Sequence, residues 1–147
     1  WRSLEDMWDF HNYDQPFTRE ALRFEGGTPN LLGTLSVVCS IDLFLRCGQD
    51  AIAEHVLALT NRLCEGLVAL GAELSTQRGE SCSSGIVTFR LRGVDSVALG
   101  EELEREGIVT TYRTGGVRVS PHGYNTTGEI DAVLNAVARR ARTRAAV

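Results

Sequence analysis

Three short segments of the sequence carry residue types that could bind or transform a small anionic molecule. The first is Gly26-Gly27-Thr28-Pro29-Asn30, placed ahead of an apolar run. Two glycines make a turn, Thr28 is a good helix N-cap, and Pro29 suits the first helical position. Backbone N–H groups at such a start have no partner inside the helix, and the positive end of the helix dipole lies behind them. That is the make-up of an anion site. The same residues also describe an ordinary helix start. The second segment is the pair Arg113 and Arg118, flanking a Thr-Gly-Gly turn. Alternation in Val117-Arg118-Val119 puts both valines on one face of a strand and the arginine on the other. A guanidinium so placed can take a carboxylate in a two-pronged contact. The alternative is a solvated strand face, or a structural ion pair with one of the 19 acidic residues. The third segment, Ser120 to Thr126, holds His122, which titrates in the range of an acid–base group. It stands alone among turn-forming residues, and no role is assigned to it, to His11 or to His55.

One residue type is missing altogether. All 15 cationic side chains are arginine, so no lysine amine can condense with a carbonyl group. A net charge of −4 offers no electrostatic basis for binding nucleic acid or an anionic membrane surface. Cys39, Cys47, Cys64 and Cys82 form no C-x-x-C pair, and three of them fall at apolar positions of helical patterns. That is expected of reduced thiols in a cytoplasmic protein. With three scattered histidines they lack zinc-ligand spacing, so no metal site is expected. The apolar stretches are shorter than a membrane span, and no signal peptide is visible. The first residue is Trp1, which reads either as a processed start or as a piece of something longer.

The elements that must position these residues follow from the apolar periodicity. At 147 residues, 43% hydrophobic and 23% charged, the chain suits one domain, or one small domain with an attached segment. Residues 1–25 are an irregular connector with aromatics at Trp1, Trp8, Phe10, Tyr13, Phe17 and Phe24 in no clear period. If it joins a larger body, its aromatics should be exposed or packed on a second copy. If it is native to a small module, they should be covered within the chain. Residues 26–71 form a helical segment. Leu31, Leu32, Leu35, Val38, Ile41, Leu43 and Leu45 face one way, and Gly48 ends the first helix. A second helix, capped by Asp50, carries Ile52, Val56, Leu59, Leu63, Leu67 and Leu70 and closes at Gly71. Residues 72–147 then read as a small domain. Strands are expected at Ala72–Thr76, Ile86–Leu91, Ile108–Arg113 and Val117–Ser120, with a loop at Gln77–Gly85 and a tight turn at Thr114-Gly115-Gly116. Asp95 caps a short helix ending at Gly107. Thr126 and Glu129 form a capping box for the last helix, which uses Ile130, Val133, Leu134 and Val137 and ends in a frayed basic tail. The order β-β-α-β-β-α, preceded by two helices, is an α+β layout with a small antiparallel or mixed sheet and helices on one face.

Taken in order, RFEGGTPN, two helices, SGIVTFRL, GIVTTYRTGGVRVSPHGYNT and EIDAVLNAV resemble the C-terminal half of class V aminotransferase-like pyridoxal-phosphate (PLP) enzymes. That group includes cysteine desulfurases, selenocysteine lyases, kynureninases and isopenicillin-N-epimerase-like proteins. The opening WRS…DFHNYD is similar to the segment that follows their PLP-lysine region, so the resemblance covers nearly the whole chain. It implies that residues 72–147 are the small C-terminal domain of the fold-type-I architecture. It implies a homodimer in which Thr28, with the backbone of Gly27, reaches the phosphate of the partner's PLP. Arg118 matches the arginine that holds the substrate α-carboxylate, and Arg113 a second active-site arginine of the Arg-Thr-Gly segment. The implied substrate is a small amino acid, and the implied chemistry is that of a transferase, lyase or epimerase.

The family's Schiff-base lysine, its ring-stacking residue and the acidic partner of the pyridine nitrogen lie upstream. The resemblance therefore implies no catalytic residue in this chain and no covalent hold on PLP. Cysteine desulfurases also carry a catalytic cysteine between the Arg-Thr-Gly segment and the carboxylate arginine. Here Arg113 and Arg118 are five positions apart with no cysteine between them, and Cys82 lies in an earlier loop. The epimerase-like or aminotransferase-like branch is the better match. The competing expectation is a stand-alone, non-catalytic α+β module for ligand binding or interaction.

Overall fold

A computed structural model describes residues 1–79, 82–113 and 115–145. The chain divides into two units, Trp1–Arg46 and Cys47–Val147, with the boundary just ahead of the second helix.

The first unit is built on α1 (Leu31–Cys47). Its start lies later than the Thr28 cap and Pro29 opening expected from sequence. The Asn30 side-chain oxygen accepts the N–H of Gly33 at 2.9 Å, and its carbonyl accepts the N–H of Thr34. Asn30 is therefore the N-cap. Gly33 makes this possible, since a Cβ there would lie 2.5 Å from the Asn30 amide nitrogen. The connector before it has little regular structure: an isolated bridge from Leu4 to Phe17 and one 3-10 turn at Ala21–Phe24. Local side-chain bonds shape the rest, such as Asp6 to the N–H of Trp8 and Asn12 to that of Asp14. No residue of this unit is buried, and α1 buries none of its apolar face. Within this unit Trp8 is 71% exposed, Tyr13 93% and Phe24 85%, so the unit does not cover these aromatics itself.

The second unit holds the core. It comprises α2 (Gln49–Ala69), β1 (Ala72–Leu74), β2 (Val87–Leu91), α3 (Ser96–Arg105), β3 (Thr111–Arg113), β4 (Gly116–Val119) and α4 (Thr127–Ala145). The strands form one antiparallel sheet in the order β1-β2-β4-β3. Alternation sends Ala72, Val87, Phe89, Leu91, Val117 and Val119 to one face. There they meet Leu59, Leu63 and Leu67 of α2, Leu99 and Leu103 of α3, and Ile130, Val133 and Val137 of α4. All three helices of this unit thus cover the same face of the sheet, as an α+β layout requires.

Several boundaries differ from the sequence expectation, each for a local reason. Gly48, with φ of 87°, stands at the cap of α2, and Asp50 lies in the first turn, where its charge suits the helix dipole. β1 stops at Leu74 rather than Thr76, because the Thr76 hydroxyl takes the N–H of Thr88 at 2.8 Å and displaces a ladder bond. β3 begins at Thr111, paired with Arg118, rather than at Ile108, which with Val109 lies past the end of β4 at Val119. β2 and β4 each shift by one residue. Thr114 of the expected turn lies outside the described residues, while Gly115 has φ of 76°. The arginine run near the end is helical, not frayed. α4 extends to Ala145, and Arg139 and Arg140 reach Glu106 and Glu102 of α3.

Of the anticipated side-chain caps, those at Asp95 and Thr126 are present. Asp95 accepts the N–H groups of Val97 and Ala98. Glu129 accepts the N–H of Thr126 at 2.6 Å and its hydroxyl at 3.0 Å, while the Thr126 hydroxyl faces the N–H of Glu129 at 3.3 Å. These bonds, the backbone one foremost, hold the Glu129 carboxyl below the ordinary glutamate range. Because the folded value is depressed, the contribution to stability is complete above the unfolded value, about 4.3. It is lost as pH falls through the lower folded value. Glu129→Gln is therefore expected to be less stable than the parent near neutrality, with the gap closing on acidification. Thermal melts at a series of pH values check this. A gap that stays constant into acid would refute the capping account.

Candidate functional site

The face of the sheet turned away from the helices is polar. Register sets Arg118 of β4 directly between Thr88 of β2 and Thr111 of β3. Arg118 is half-buried, and its Nε donates to the Thr111 hydroxyl at 3.1 Å. That bond fixes one edge of the guanidinium and leaves the two terminal nitrogens pointing onward as a fork. Arg113 is exposed at the end of β3, on the same face, in register with Gly116. Among the described residues, neither arginine forms an ion pair with a carboxylate. The structural ion pair that the sequence left open is therefore not made within the described chain.

Thr111 was not singled out from the sequence, although it is what orients Arg118. Its signal was available only through register, since strand pairing decides which threonine stands beside which arginine. By contrast, the arginines that do pair are elsewhere. Arg62 grips Asp131 with two bonds, 2.7 and 2.9 Å, tying α2 to α4. The hydrogen bond from Arg62 pulls the Asp131 carboxyl below its usual range. Arg78 holds Thr60, Asn61 and the carbonyl of Ser84, and so pins the loop after β1 to α2. Cys64 beneath it is buried, which raises its thiol pKa despite the opposing pull of Arg78.

Gly27 and Thr28 lie in the first unit, ahead of α1. Thr28 is exposed, and its hydroxyl makes no hydrogen bond to a described residue, because Asn30 caps the helix instead. A Cβ on Gly26 would meet nothing within 4 Å, while one on Gly27 would lie 3.3 Å from the Trp1 indole nitrogen. A hydroxyl and glycine N–H groups unspent on the helix are suitable donors for the edge of a phosphate. They offer no amine for covalent attachment.

His122 stacks on Tyr124 with ring centroids 4.7 Å apart, and its backbone N–H is held by Asn125. His55 bonds the carbonyl of Asn125 at 2.8 Å. Both histidines shape the loop between β4 and α4. A cleft of about 570 Å³ beside that loop is lined by Ile108, Val109, Tyr124 and Glu129, among others, but not by Arg113 or Arg118. Among the described residues, no single helix is long and apolar enough to cross a membrane.

A four-stranded antiparallel sheet with helices on one face, preceded by two helices, defines an α+β domain with arginines on the open face of its sheet. Residues 5–133 match the family described as aminotransferase class-V. The chain belongs to the class V aminotransferase family, within the aminotransferase and cysteine-desulfurase-like superfamily. An uncharacterized aminotransferase of Bacillus subtilis is 23% identical over 129 residues, covering 87% of this chain and 34% of its own. A probable cysteine desulfurase of Halalkalibacterium halodurans is 29% identical over 142 residues, again covering 87% and 34%. The apo structure of a cysteine desulfurase from Thermococcus onnurineus NA1 superposes with a TM-score of 0.82 at 24% identity. It covers 97% of this chain and 38% of that one, a likeness of fold. The chain thus spans about a third of the length of these relatives.

Proposed function

We propose that this chain is the substrate-recognising, C-terminal portion of a cytoplasmic, homodimeric PLP enzyme acting on a small amino acid by transferase, lyase or epimerase chemistry. The observation that carries the reading is Arg118. It is half-buried on a polar sheet face, clamped at Nε by Thr111, and without a carboxylate partner among the described residues. Its two terminal nitrogens form a ready fork for the substrate α-carboxylate. Holding that group orients the bonds at the neighbouring carbon, which is where the chemistry of such enzymes takes place. Arg113, on the adjoining strand, supplies a second positive charge. PLP, when bound, supplies the electron sink. Thr28 and the Gly27 backbone would hold its phosphate from the neighbouring subunit, and the exposed connector and α1 supply apolar surface for a larger body or a second copy.

Relatives named cysteine desulfurases do not carry that activity over. β3 and β4 are joined by two residues, since Arg113 pairs with Gly116, and Cys82 lies in the loop after β1. A turn this short has no room for a loop bearing a sulfur acceptor beside Arg118. The aminotransferase-like or epimerase-like branch fits better.

The test is cofactor retention by the full-length enzyme. Thr28→Ala is expected to raise the PLP dissociation constant about 10-fold, the effect of losing one hydrogen bond to a charged group. Dialysis followed by the absorbance of retained PLP measures it. Undiminished retention would remove Thr28 from the phosphate site.

A further inference from the structure

We infer that Trp1 is a positioning residue for the turn Gly26-Gly27-Thr28, and that its indole sets the donors which that turn offers to the phosphate of PLP. The inference rests on the reading that Gly27 and Thr28 hold the cofactor phosphate, and adds to it the residue that keeps them in place.

Two glycines in succession leave a turn with much conformational freedom, and ordering it costs more than ordering other residues. An anion held by the Gly27 N–H and the Thr28 hydroxyl gains most when that ordering precedes its arrival. The helix start does not supply it at Thr28, because Asn30 caps α1 instead. Trp1 does. Its backbone nitrogen donates to the carbonyl of Gly26 at 3.0 Å, a bond that an amide N–H forms as well as an ammonium. The segment carrying Trp1 is itself anchored. The N–H of Thr18 meets the carbonyl of Ser3 at 2.9 Å, and the N–H of Glu5 that of Pro16 at 3.1 Å. The 3-10 turn at Ala21–Phe24 then returns the chain to Trp1.

Gly27 carries the mark of this contact. Neither Gly26 nor Gly27 has φ in the left-handed region, so conformation does not call for glycine at either position. At Gly27 a Cβ would lie 3.3 Å from Nε1 and 3.7 Å from Cδ1 of Trp1, the first closer than a side chain ordinarily packs. Glycine at this position is matched to the indole. Gly26 differs: a Cβ there would meet nothing within 4 Å, so that side of the turn is open to a ligand. The indole has aromatic neighbours of its own. Its ring centroid is 6.0 Å from that of Trp8 at an angle of 48°, and Trp8 meets Phe10 edge-on at 6.4 Å. Gly27 thus rests on Trp1, and Trp1 on a further pair of rings, all within the first unit.

The experiment titrates PLP and pyridoxal, which lacks the phosphate, into the full-length enzyme freed of cofactor, and reads binding from the cofactor absorbance. Trp1→Ala should weaken PLP about 3- to 10-fold, the effect of losing one aromatic packing contact, and leave pyridoxal affinity as in the parent. Trp1→Phe, which keeps a ring beside Trp8, should recover part of the loss. Gly27→Ala should weaken PLP by a similar factor on its own and have little effect in the Trp1→Ala background, so that the two changes are not additive. Parent-like PLP binding by Trp1→Ala would overturn the inference. So would additive effects of the two substitutions, or a Trp1→Ala variant that weakens PLP and pyridoxal alike, the mark of a general structural role. Thr28→Ala, run alongside, should weaken PLP alone. If it does not, the phosphate-site reading itself fails, an outcome separate from the coupling of Trp1 to Gly27.

Discussion

On the proposed assignment, Arg118→Ala in the full-length enzyme is expected to lower kcat/KM for an amino-acid substrate by about 100-fold, the loss that follows when a two-pronged, charge-assisted contact is removed. The size follows from preorganisation. Thr111 holds Nε at 3.1 Å, so little rotational freedom remains to be lost when substrate arrives. Arg118→Lys should recover only a small part, because an ammonium restores charge without the planar fork. Thr111→Val offers a milder version: the guanidinium keeps its charge but loses its clamp, and KM rises more than kcat falls. Steady-state kinetics on the three variants check the sequence of effects. Melting temperatures near the parent value are expected, since Arg118 forms no ion pair among the described residues. Parent-like kcat/KM in Arg118→Ala would remove this residue from the substrate site.

Phe89→Ala is expected to lower the free energy of unfolding by about 3–5 kcal/mol. Phe89 is fully buried at the centre of β2, with Leu74 and Val117 as its register partners on either side. Its ring lies on the face covered by α2, α3 and α4, in the cluster that includes Leu63, Leu99 and Val137. The packed sheet and helices can close such a cavity only in part, because the neighbouring strands fix the spacing. A loss of this size is a large share of the roughly 5–15 kcal/mol that holds a typical domain together. Urea denaturation measures it, with an unchanged slope confirming that native stability has moved. A midpoint equal to that of the parent would mean that the core is elsewhere.

The expected behaviour of these two variants has different origins in the sequence. Arg118 was visible through strict alternation in Val117-Arg118-Val119, and Phe89 through a β-type run. The caps at Asp95 and Thr126–Glu129, the glycine ends of the helices, and the α+β order were equally legible, because each depends on residues within one or two turns of each other. The ordered set of segments was enough to point to the class V aminotransferase family.

Competition between nearby groups, and pairing between distant ones, decided the rest. Thr28 and Asn30 are both able to cap α1. Asn30 does so because Gly33 leaves room for its amide, and that choice leaves the Thr28 hydroxyl unspent. Thr76 ends β1 by taking the N–H of Thr88 across the sheet. Arg139 and Arg140 of the last helix meet Glu106 and Glu102 of α3, a pairing between distant parts of the chain. Thr111 beside Arg118 is a product of strand register. Local composition determines which elements form and what each could bind. Register and packing, which join residues far apart in the chain, decide which side chains meet and which are left to face a ligand.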